Sequence, residues 1–598
     1  MKRILFFAAL ISFLTFAIAL SQTKSEEKFK LGKSYEKSGD YMSAQRIYLD
    51  LYELNNQNNE FFDALKRTYM ALNQYSEFLK IVEKRFTKFK SVDMFALYGE
   101  LLWRTGQIEE ANKIWAEALE DQKNPQIFKE IAESQISLFL FEKSISTLLQ
   151  AREVNSNNAL FADELSQLYI AIGDYTLGTK EVLVLFEKSA NLALAQGRLS
   201  ALMTSDKAME HIQKMLKERS SGNNIAYKQL FVWFLRQSSQ LEEALALIIE
   251  IDQLGNNSGK EIFDFARNSM YDGHYDIALK SYETLMDMGN NTRYYRNAEF
   301  EYVRTLEAKL RSQKDIPKDQ VQIIIDRYEA IVSSQKNDRN ARDGKYRIAW
   351  LYYEYLGDRD KASKYLDQLV SARISDNING DALIMLGDIH FEEGKEDLAK
   401  MRYEILIKHF CQSTPDQCYK AKLRLADIMY FSGNIDSARA MYSELTKSYD
   451  KDYMNDAMAK IVLIDQNKSE ESAMLIYAEA EKYERQKDFD LATEKYKQII
   501  TDATNTDLAE RSYIKIVKIY LAQNKHDEAK YLLGDFIKQY ENSIFGDYVL
   551  LILGDIYIAE GNNEIALDHY KDILVKYPRS IYIQEVRKKI RQARGENL

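Results

Sequence analysis

The chain has 598 residues, of which 46% are hydrophobic, and it carries a net charge of −10. That hydrophobic fraction excludes global disorder, and the acidic balance disfavours sequence-independent binding of nucleic acid, which needs cations to neutralise phosphates. Only 4 prolines occur. Because proline removes a backbone donor and breaks helices, their scarcity predicts an almost purely helical protein.

The first predicted element is a secretory signal peptide over residues 1–21. Two basic residues follow the first methionine, residues 4–20 are almost entirely apolar, and small residues allow cleavage at Ala19 or Ser21. We therefore expect export to the periplasm or cell envelope. The alternative is an uncleaved segment that anchors the chain in the inner membrane through residues 4–20.

A repeated pair of helices is predicted for the rest of the chain, and it is clearest in the stretch LGDIYIAEGNNEIALDHY. Leu553 and Tyr557 are four residues apart and share a helix face, as do Ala566 and Tyr570 on a second helix. Gly561 marks the turn between them. Small residues recur in this frame because two antiparallel helices approach most closely there.

The same frame recurs along the chain. Copies begin at Leu31, Tyr98, Leu165, Phe265, Leu386 and Leu425, with less complete copies around Tyr483 and Ile516. This pattern closely resembles the tetratricopeptide repeat, whose hairpin has Gly or Ala at its eighth position, Tyr at its eleventh and Ala at its twentieth. The resemblance implies an all-α, right-handed superhelical solenoid of about fifteen hairpins, with a capping helix after Pro578.

Changes in repeat spacing predict four parts after the signal peptide. Steps between early hairpins are 33 or 34 residues, whereas later steps reach 37 to 39. The expected parts are an N-terminal array, a degenerate middle array, an array with longer connections, and a C-terminal array with the cap: 22–188, 189–340, 341–450 and 451–598. The C-terminal part also resembles periplasmic repeat proteins of the outer-membrane assembly lipoprotein and Tol–Pal coordinator types.

No catalytic motif stands out in the sequence. The six histidines do not form a helical zinc-protease arrangement, and neither a Gly-rich phosphate loop nor a Gly-x-Ser-x-Gly elbow is present. We expect no enzyme activity, no catalytic residue, no metal and no cofactor, although an enzyme with an unfamiliar site is the remaining alternative.

The two cysteines, Cys411 and Cys418, lie together in the connection with the longest step. In an exported protein they are expected to form a disulfide, because oxidising compartments preserve such bonds. Two free thiols are the alternative, and a zinc site that includes His409 is disfavoured.

The resemblance also implies a partner groove, lined in the family by the second, fifth, ninth, twelfth and thirteenth positions of each first helix. Carried onto this frame, those positions give the candidate binding residues Trp103, Arg104, Trp233, Arg236, Tyr271, Tyr355, Phe391, Tyr430 and Phe431. Large aromatic side chains and arginine are enriched among binding hot spots. Residues 345–431 are the expected main site. The alternative is that these aromatic side chains pack between neighbouring first helices.

The expected function is a non-catalytic, exported scaffold that binds protein partners in its concave groove, within a bacterial envelope assembly. The alternative is a repeat component of a polysaccharide export or cell-wall synthesis machine, in which an aromatic groove would stack on sugars. Protein partners, a glycan and a membrane-associated complex are thus the candidates, and nucleic acid is not.

Overall fold

The computed structural model describes residues 25–596, except 121, 205, 336–337, 448–450 and 505, and describes only the backbone at 290 and 451–453. The predicted signal peptide lies outside the described residues. Within that part of the chain, no helix combines the length and apolar character that crossing a membrane requires.

The chain divides into two compact units, Met1–Phe265 and Ala266–Leu598. In the first unit, helix α1 includes residues 25–37. The following helices are α2 (Tyr41–Leu54), α3 (Asn59–Ala71), α4 (Tyr75–Phe86), α5 (Val92–Arg104), α6 (Ile108–Leu119), α7 (Pro125–Ser137), α8 (Phe141–Asn155), α9 (Ala162–Ala171), α10 (Tyr175–Ser189), α11 (Leu192–Leu202), α12 (Asp206–Ser220), α13 (Ile225–Gln237) and α14 (Leu241–Leu254).

Helix α15 (Lys260–Tyr271) contains the boundary between the units. The second unit continues with α16 (Tyr275–Asp287), α17 (Tyr295–Arg311), α18 (Lys318–Ser334), α19 (Arg339–Leu351), α20 (Arg359–Ser371), α21 (Asn377–Glu392), α22 (Glu396–Phe410), α23 (Pro415–Phe431), α24 (Ile435–Leu445), α25 (Lys451–Gln466), α26 (Glu471–Arg485), α27 (Phe489–Asp502), α28 (Asp507–Ala522), α29 (His526–Gln539), α30 (Gly546–Ala559), α31 (Asn563–Lys576) and α32 (Ile583–Ala593). A 3₁₀ turn, Gly289–Asn291, and a π-helical turn, Tyr352–Leu356, complete it.

The described residues therefore form 32 α-helices and no strand, and the expected all-α repeat fold is confirmed. Most helices form two-helix hairpins, each made of a first and a second helix, but two helices do not. One is α32, which buries Val586 and Ile590 against the last hairpin as the expected cap. The other is α25, a single helix between the hairpins α23/α24 and α26/α27, which contacts both α24 and α23.

The two helices of a hairpin meet where a tyrosine of the second helix lies over a glycine of the first. A Cβ atom on Gly554 would lie 2.3 Å from Cε1 of Tyr570, and one on Gly387 would lie 2.4 Å from Cε1 of Tyr403. Such distances are far inside van der Waals contact, so a larger residue would require the tyrosine ring or the helices to shift. The expectation that small residues mark the closest approach is confirmed at these positions.

The buried tyrosine hydroxyls bond to carboxylates of the first helix. Tyr570 donates to Asp555 at 2.6 Å, and Tyr403 donates to Asp388 at 2.7 Å. Tyrosine thereby fills the hairpin core with its ring while its polar end keeps a partner. Burial and the adjacent carboxylate raise the pKa of Tyr570.

Candidate functional site

The aromatic run expected to form the main groove is packed rather than open. Tyr430 and Phe391 are 0% and 2% exposed, and the Phe431 ring lies 5.6 Å from that of Phe391 and 5.7 Å from that of Tyr430. Tyr355 is half-buried against Trp350, with ring centroids 5.3 Å apart. The burial of Phe391 and Tyr430 contradicts their expected place in an open groove, and the packing alternative holds for them.

The end of α26 covers this aromatic cluster. Arg485 donates to Asp388 Oδ1 at 3.0 Å, and Gln486 Nε2 donates to the carbonyl oxygen of Phe391 at 3.2 Å. Lys487 adds an ion pair with Glu392 at 3.0 Å. These residues are about a hundred positions downstream of α21. They reach it because the single helix α25 brings α26 directly against α23.

A partly buried charge cluster joins α25, α26 and α28 beside this cover. Glu481 of α26 pairs with Lys460 at 2.6 Å and with Lys515 at 3.3 Å. Burial alone would raise the pKa of Glu481, but the two ammonium groups outweigh it and the pKa falls to about 2. Glu481 is therefore an anion at neutral pH and has its partners within the protein, as a structural pair does.

The other predicted binding residues are distributed along the chain. In the first unit, Trp103 stacks on Trp115 at 5.9 Å, and Arg104 donates to Glu100 and to the carbonyl oxygen of Ser137. Trp233 is half-buried and Arg236 is exposed, whereas Tyr271 of the second unit is 70% exposed. Their role in partner binding stays a prediction.

A surface cavity of about 600 Å³ lies among the last hairpins, and we call it the C-terminal cavity. Its walls come from α26, α28, the start of α30 and the connections that precede α30 and α32. Aromatic, aliphatic and charged side chains line it: Tyr477, Arg511, Ile514, Lys515, Lys518, Ile544, Phe545, Asp547, Tyr548, Arg579, Ser580, Ile581 and Tyr582.

Two cations of the C-terminal cavity are neutralised within the protein. Arg511 pairs with Asp507 at 2.5 Å and lies 5.3 Å from the Phe545 ring. Lys515 pairs with Glu484 at 2.8 Å, in addition to its contact with Glu481. Burial lowers the pKa of Lys515, but the two carboxylates raise it by a larger amount. The net change of the pKa is therefore upward. Arg511 and Lys515 therefore form part of the cavity wall, with their carboxylate partners inside the protein.

Comparison with known protein families identifies the repeat. Residues 429–592 match the model of a tetratricopeptide repeat-like domain, and residues 343–372 match a tetratricopeptide repeat. These two segments of the chain carry repeats of the tetratricopeptide type. No curated protein sequence matches it.

Three solved structures are distantly similar to the chain. Naa15/Naa10 bound to HypK-THB is 13% identical, with 95% of this chain and 96% of that chain covered and a TM-score of 0.27. The APC/C hetero-tetramer Cut9–Hcn1 is 12% identical, with 95% and 96% covered and a TM-score of 0.24. A tetratricopeptide repeat protein from Parabacteroides merdae ATCC 43184 is 13% identical, with 56% and 99% covered and a TM-score of 0.24. Likeness at this level says nothing about partners.

The C-terminal cavity was not predicted, although its residues occupy groove positions of the tetratricopeptide repeat. Counted in the frame of Ile516 and Leu553, Arg511 and Tyr548 are second positions, Ile514 is a fifth and Lys518 is a ninth. The prediction used mainly the twelfth and thirteenth positions, where large aromatic residues are conspicuous. Extending the same frame to the second, fifth and ninth positions of the last hairpins would have found the cavity.

A second overlooked signal is the repeated connection Tyr-x-x-Ser-Ile-aromatic, at residues 540–545 and 577–582. In each copy the serine hydroxyl accepts the backbone N–H two residues later, which fixes the isoleucine between them. Ile544 and Ile581 are 77% and 86% exposed, and both line the C-terminal cavity. The repeat thus places two exposed aliphatic side chains at one site.

Cys411 and Cys418 are joined as a disulfide in the structure, with Cα atoms 5.0 Å apart, at the connection between α22 and α23. The oxidation state of the native protein stays a prediction. Among the residues that the structure describes, no group of histidine, cysteine and acidic side chains could hold a metal ion.

Proposed function

We propose that the protein is a non-catalytic scaffold, exported to the bacterial cell envelope, that holds protein partners on the inner face of its first helices. The observation that carries this proposal is the C-terminal cavity. There, groove positions of successive tetratricopeptide repeats combine aromatic, aliphatic and cationic side chains in one concave site. Sites of this size and mixed lining are typical of ligand and peptide binding.

Export and an envelope assembly are part of the same proposal. The basic start and the apolar run of residues 4–20 support export, and the longer C-terminal repeats resemble those of periplasmic repeat proteins. A repeat array with a large surface and few reactive groups suits the capture of proteins rather than chemistry.

The test is site-specific photo-crosslinking in the native host. Ile581→p-benzoylphenylalanine places the crosslinker at the C-terminal cavity, and Tyr271→p-benzoylphenylalanine places it at an exposed predicted groove position. Tyr531, on the second helix α29 and 73% exposed, is the matched control outside any groove. Protein adducts at Ile581 or Tyr271 but not at Tyr531 are expected. If none forms at Ile581 or Tyr271, the scaffold proposal is wrong.

The polysaccharide alternative also has support in this site. The rings of Tyr548 and Tyr582 lie 5.6 Å apart at the C-terminal cavity, and paired aromatic faces can stack on sugars. A glycan array with the purified protein distinguishes the two functions. Binding of a neutral glycan, together with the absence of protein adducts at Ile581, would favour the polysaccharide machine.

A further inference from the structure

Two cations that line the C-terminal cavity form no ion pair with any described residue. Arg511 and Lys515 have carboxylate partners, but among the described residues no ion pair is formed by Lys518 or Arg579. Both side chains are exposed, and Lys518 lies 5.5 Å from the Tyr548 ring. The chain as a whole has a net charge of −10, whereas the opening of the C-terminal cavity, where Lys518 and Arg579 lie, is locally positive.

The one carboxylate in the lining is Asp547. Its Oδ1 accepts the backbone N–H of Tyr548 at 2.7 Å, and it forms no ion pair within the described part of the chain. Since Asp547 balances only one of the two cations, a ligand that reaches the mouth of the cavity meets a net positive charge. A neutral sugar would form no ion pair with either cation.

Two exposed isoleucines form the apolar part of the site. Ile544 and Ile581 extend from two successive connections, and the cavity behind them is lined by the buried Ile514 and Tyr477. Both isoleucines line one cavity together with Ile514 and Tyr477, and a contiguous apolar patch of this kind often marks an interaction site. An apolar group placed between them would bury surface that contributes about 25 cal/mol per Å².

We infer that the C-terminal cavity binds an acidic, extended peptide segment of a partner protein. A carboxylate of the segment meets Lys518 and Arg579, and an aliphatic or aromatic side chain packs against Ile544 and Ile581. This inference rests on the proposed scaffold function and adds the chemistry of the partner. A peptide fits better than a nucleic acid because two free cations are too few for a phosphate chain, and because the site has an equal apolar part.

The experiment measures binding of labelled peptides to the full chain by fluorescence anisotropy at low and physiological salt. The probes are an eight-residue peptide of alternating Glu and Leu, its Gln/Leu counterpart and a Glu/Ser counterpart. The Glu/Leu peptide is expected to bind most tightly, with an affinity that falls as salt rises. Equal binding of the Gln/Leu peptide would overturn the role of charge, and equal binding of the Glu/Ser peptide would overturn the apolar contact.

Two double variants locate the contact. Lys518→Gln with Arg579→Gln is expected to weaken Glu/Leu binding roughly tenfold or more, since two charge-assisted bonds are lost. Ile544→Ser with Ile581→Ser should weaken it to a similar extent. The control is Lys571→Gln with Lys576→Gln on α31, which changes the net charge equally at exposed sites outside the cavity. All six side chains are exposed, so circular dichroism and melting should stay unchanged.

The outcomes separate this inference from the scaffold function. If the cavity variants bind the Glu/Leu peptide as the unmodified chain does, the inference is wrong. If Ile581 crosslinks a partner in cells while no acidic peptide binds, the inference fails and the scaffold function stands. Binding of an acidic polysaccharide without peptide binding would overturn the assignment to a peptide. Concentration-dependent self-association that Ile544→Ser and Ile581→Ser abolish would assign the cavity to a second copy of this chain.

Discussion

Single residues fix the spacing of the two helices in each hairpin. At Gly554 the Tyr570 ring occupies the space that a methyl group would need, while Gly534 in α29 has no atom within 4 Å of a Cβ position. Both glycines lie within helices, but their structural roles therefore differ. One is required by packing, and the other only lowers helix propensity.

We predict opposite effects of alanine at these two positions. Gly554→Ala should destabilise the fold by about 1 to 3 kcal/mol, because the Cβ atom would lie 2.3 Å from Tyr570 and force the helices apart. Gly534→Ala should stabilise it by up to about 1 kcal/mol. Urea denaturation checks both. A neutral effect of Gly554→Ala would show that the hairpin can widen freely.

The charge cluster around Glu481 should make stability depend on pH. The pKa of Glu481 is lowered in the folded state from an ordinary 4.5 to about 2, so its stabilisation is complete above about pH 4.5 and is lost as pH falls through about 2. Glu481→Gln should cost about 3 kcal/mol at pH 7, since it leaves Lys460 and Lys515 without their shared partner, and should flatten the dependence between pH 4.5 and 2.

The control for Glu481 is Glu444→Gln, which removes an exposed pair with Lys447 and should change stability little. Chemical denaturation at a series of pH values measures both variants. Equal effects of the two substitutions would contradict a special role for the partly buried cluster around Glu481.

At the scale of helices, α26 closes the face formed by α21 and α23. Arg485→Gln should weaken this closure by about 1 to 2 kcal/mol, because it removes a charged partner of Asp388. Hydrogen exchange at the end of α21 should then become faster, since Phe391 loses its cover. Lys447→Gln, which breaks a pair within one turn after α24, is the matched control. Unchanged exchange in Arg485→Gln would mean that α26 is held by other contacts.

The connection between α22 and α23 should be closed by a disulfide in the exported protein. Closing a loop between Cys411 and Cys418 stabilises the fold by about 2.5 kcal/mol in the chain-entropy model, and Cys411→Ser with Cys418→Ser should lose that amount. Mass spectrometry without reductant should find no alkylatable thiol. Two reactive thiols in protein from the native host would contradict the predicted disulfide.

The hairpins could be predicted from the sequence because their determinants are local. Gly554 and Tyr570 are 16 residues apart, and the contact between them is made within one repeat. The burial of Phe391 could not be predicted in the same way. Its ring packs in the cluster that joins α21, α22 and α23, 5.6 Å from the ring of Phe431 in the next hairpin. Gln486, about a hundred residues downstream and beyond the single helix α25, bonds to the carbonyl oxygen of Phe391.

At the scale of the whole molecule, the export of the chain is the prediction with the widest consequences. N-terminal sequencing of protein from the native host should begin at Leu20, Gln22 or nearby, because a signal peptidase would remove the apolar segment. A mature protein that begins at Met1 would contradict cleavage and favour the anchor in residues 4–20. The expected disulfide and the envelope partners depend on export, whether the apolar segment is removed or kept as an anchor.

The contact between tyrosine and glycine also determines where the chain can change in length. In the copies at Gly32, Gly99, Gly387 and Gly554, the aromatic partner follows after 16 residues, whereas successive copies are separated by 33 to 39. One residue inserted inside a hairpin would turn its second helix by about 100° and carry the ring away from the glycine. One inserted between hairpins leaves that contact intact. Evolutionary insertions and deletions, or a grafted epitope, are therefore tolerated only in the connections between hairpins.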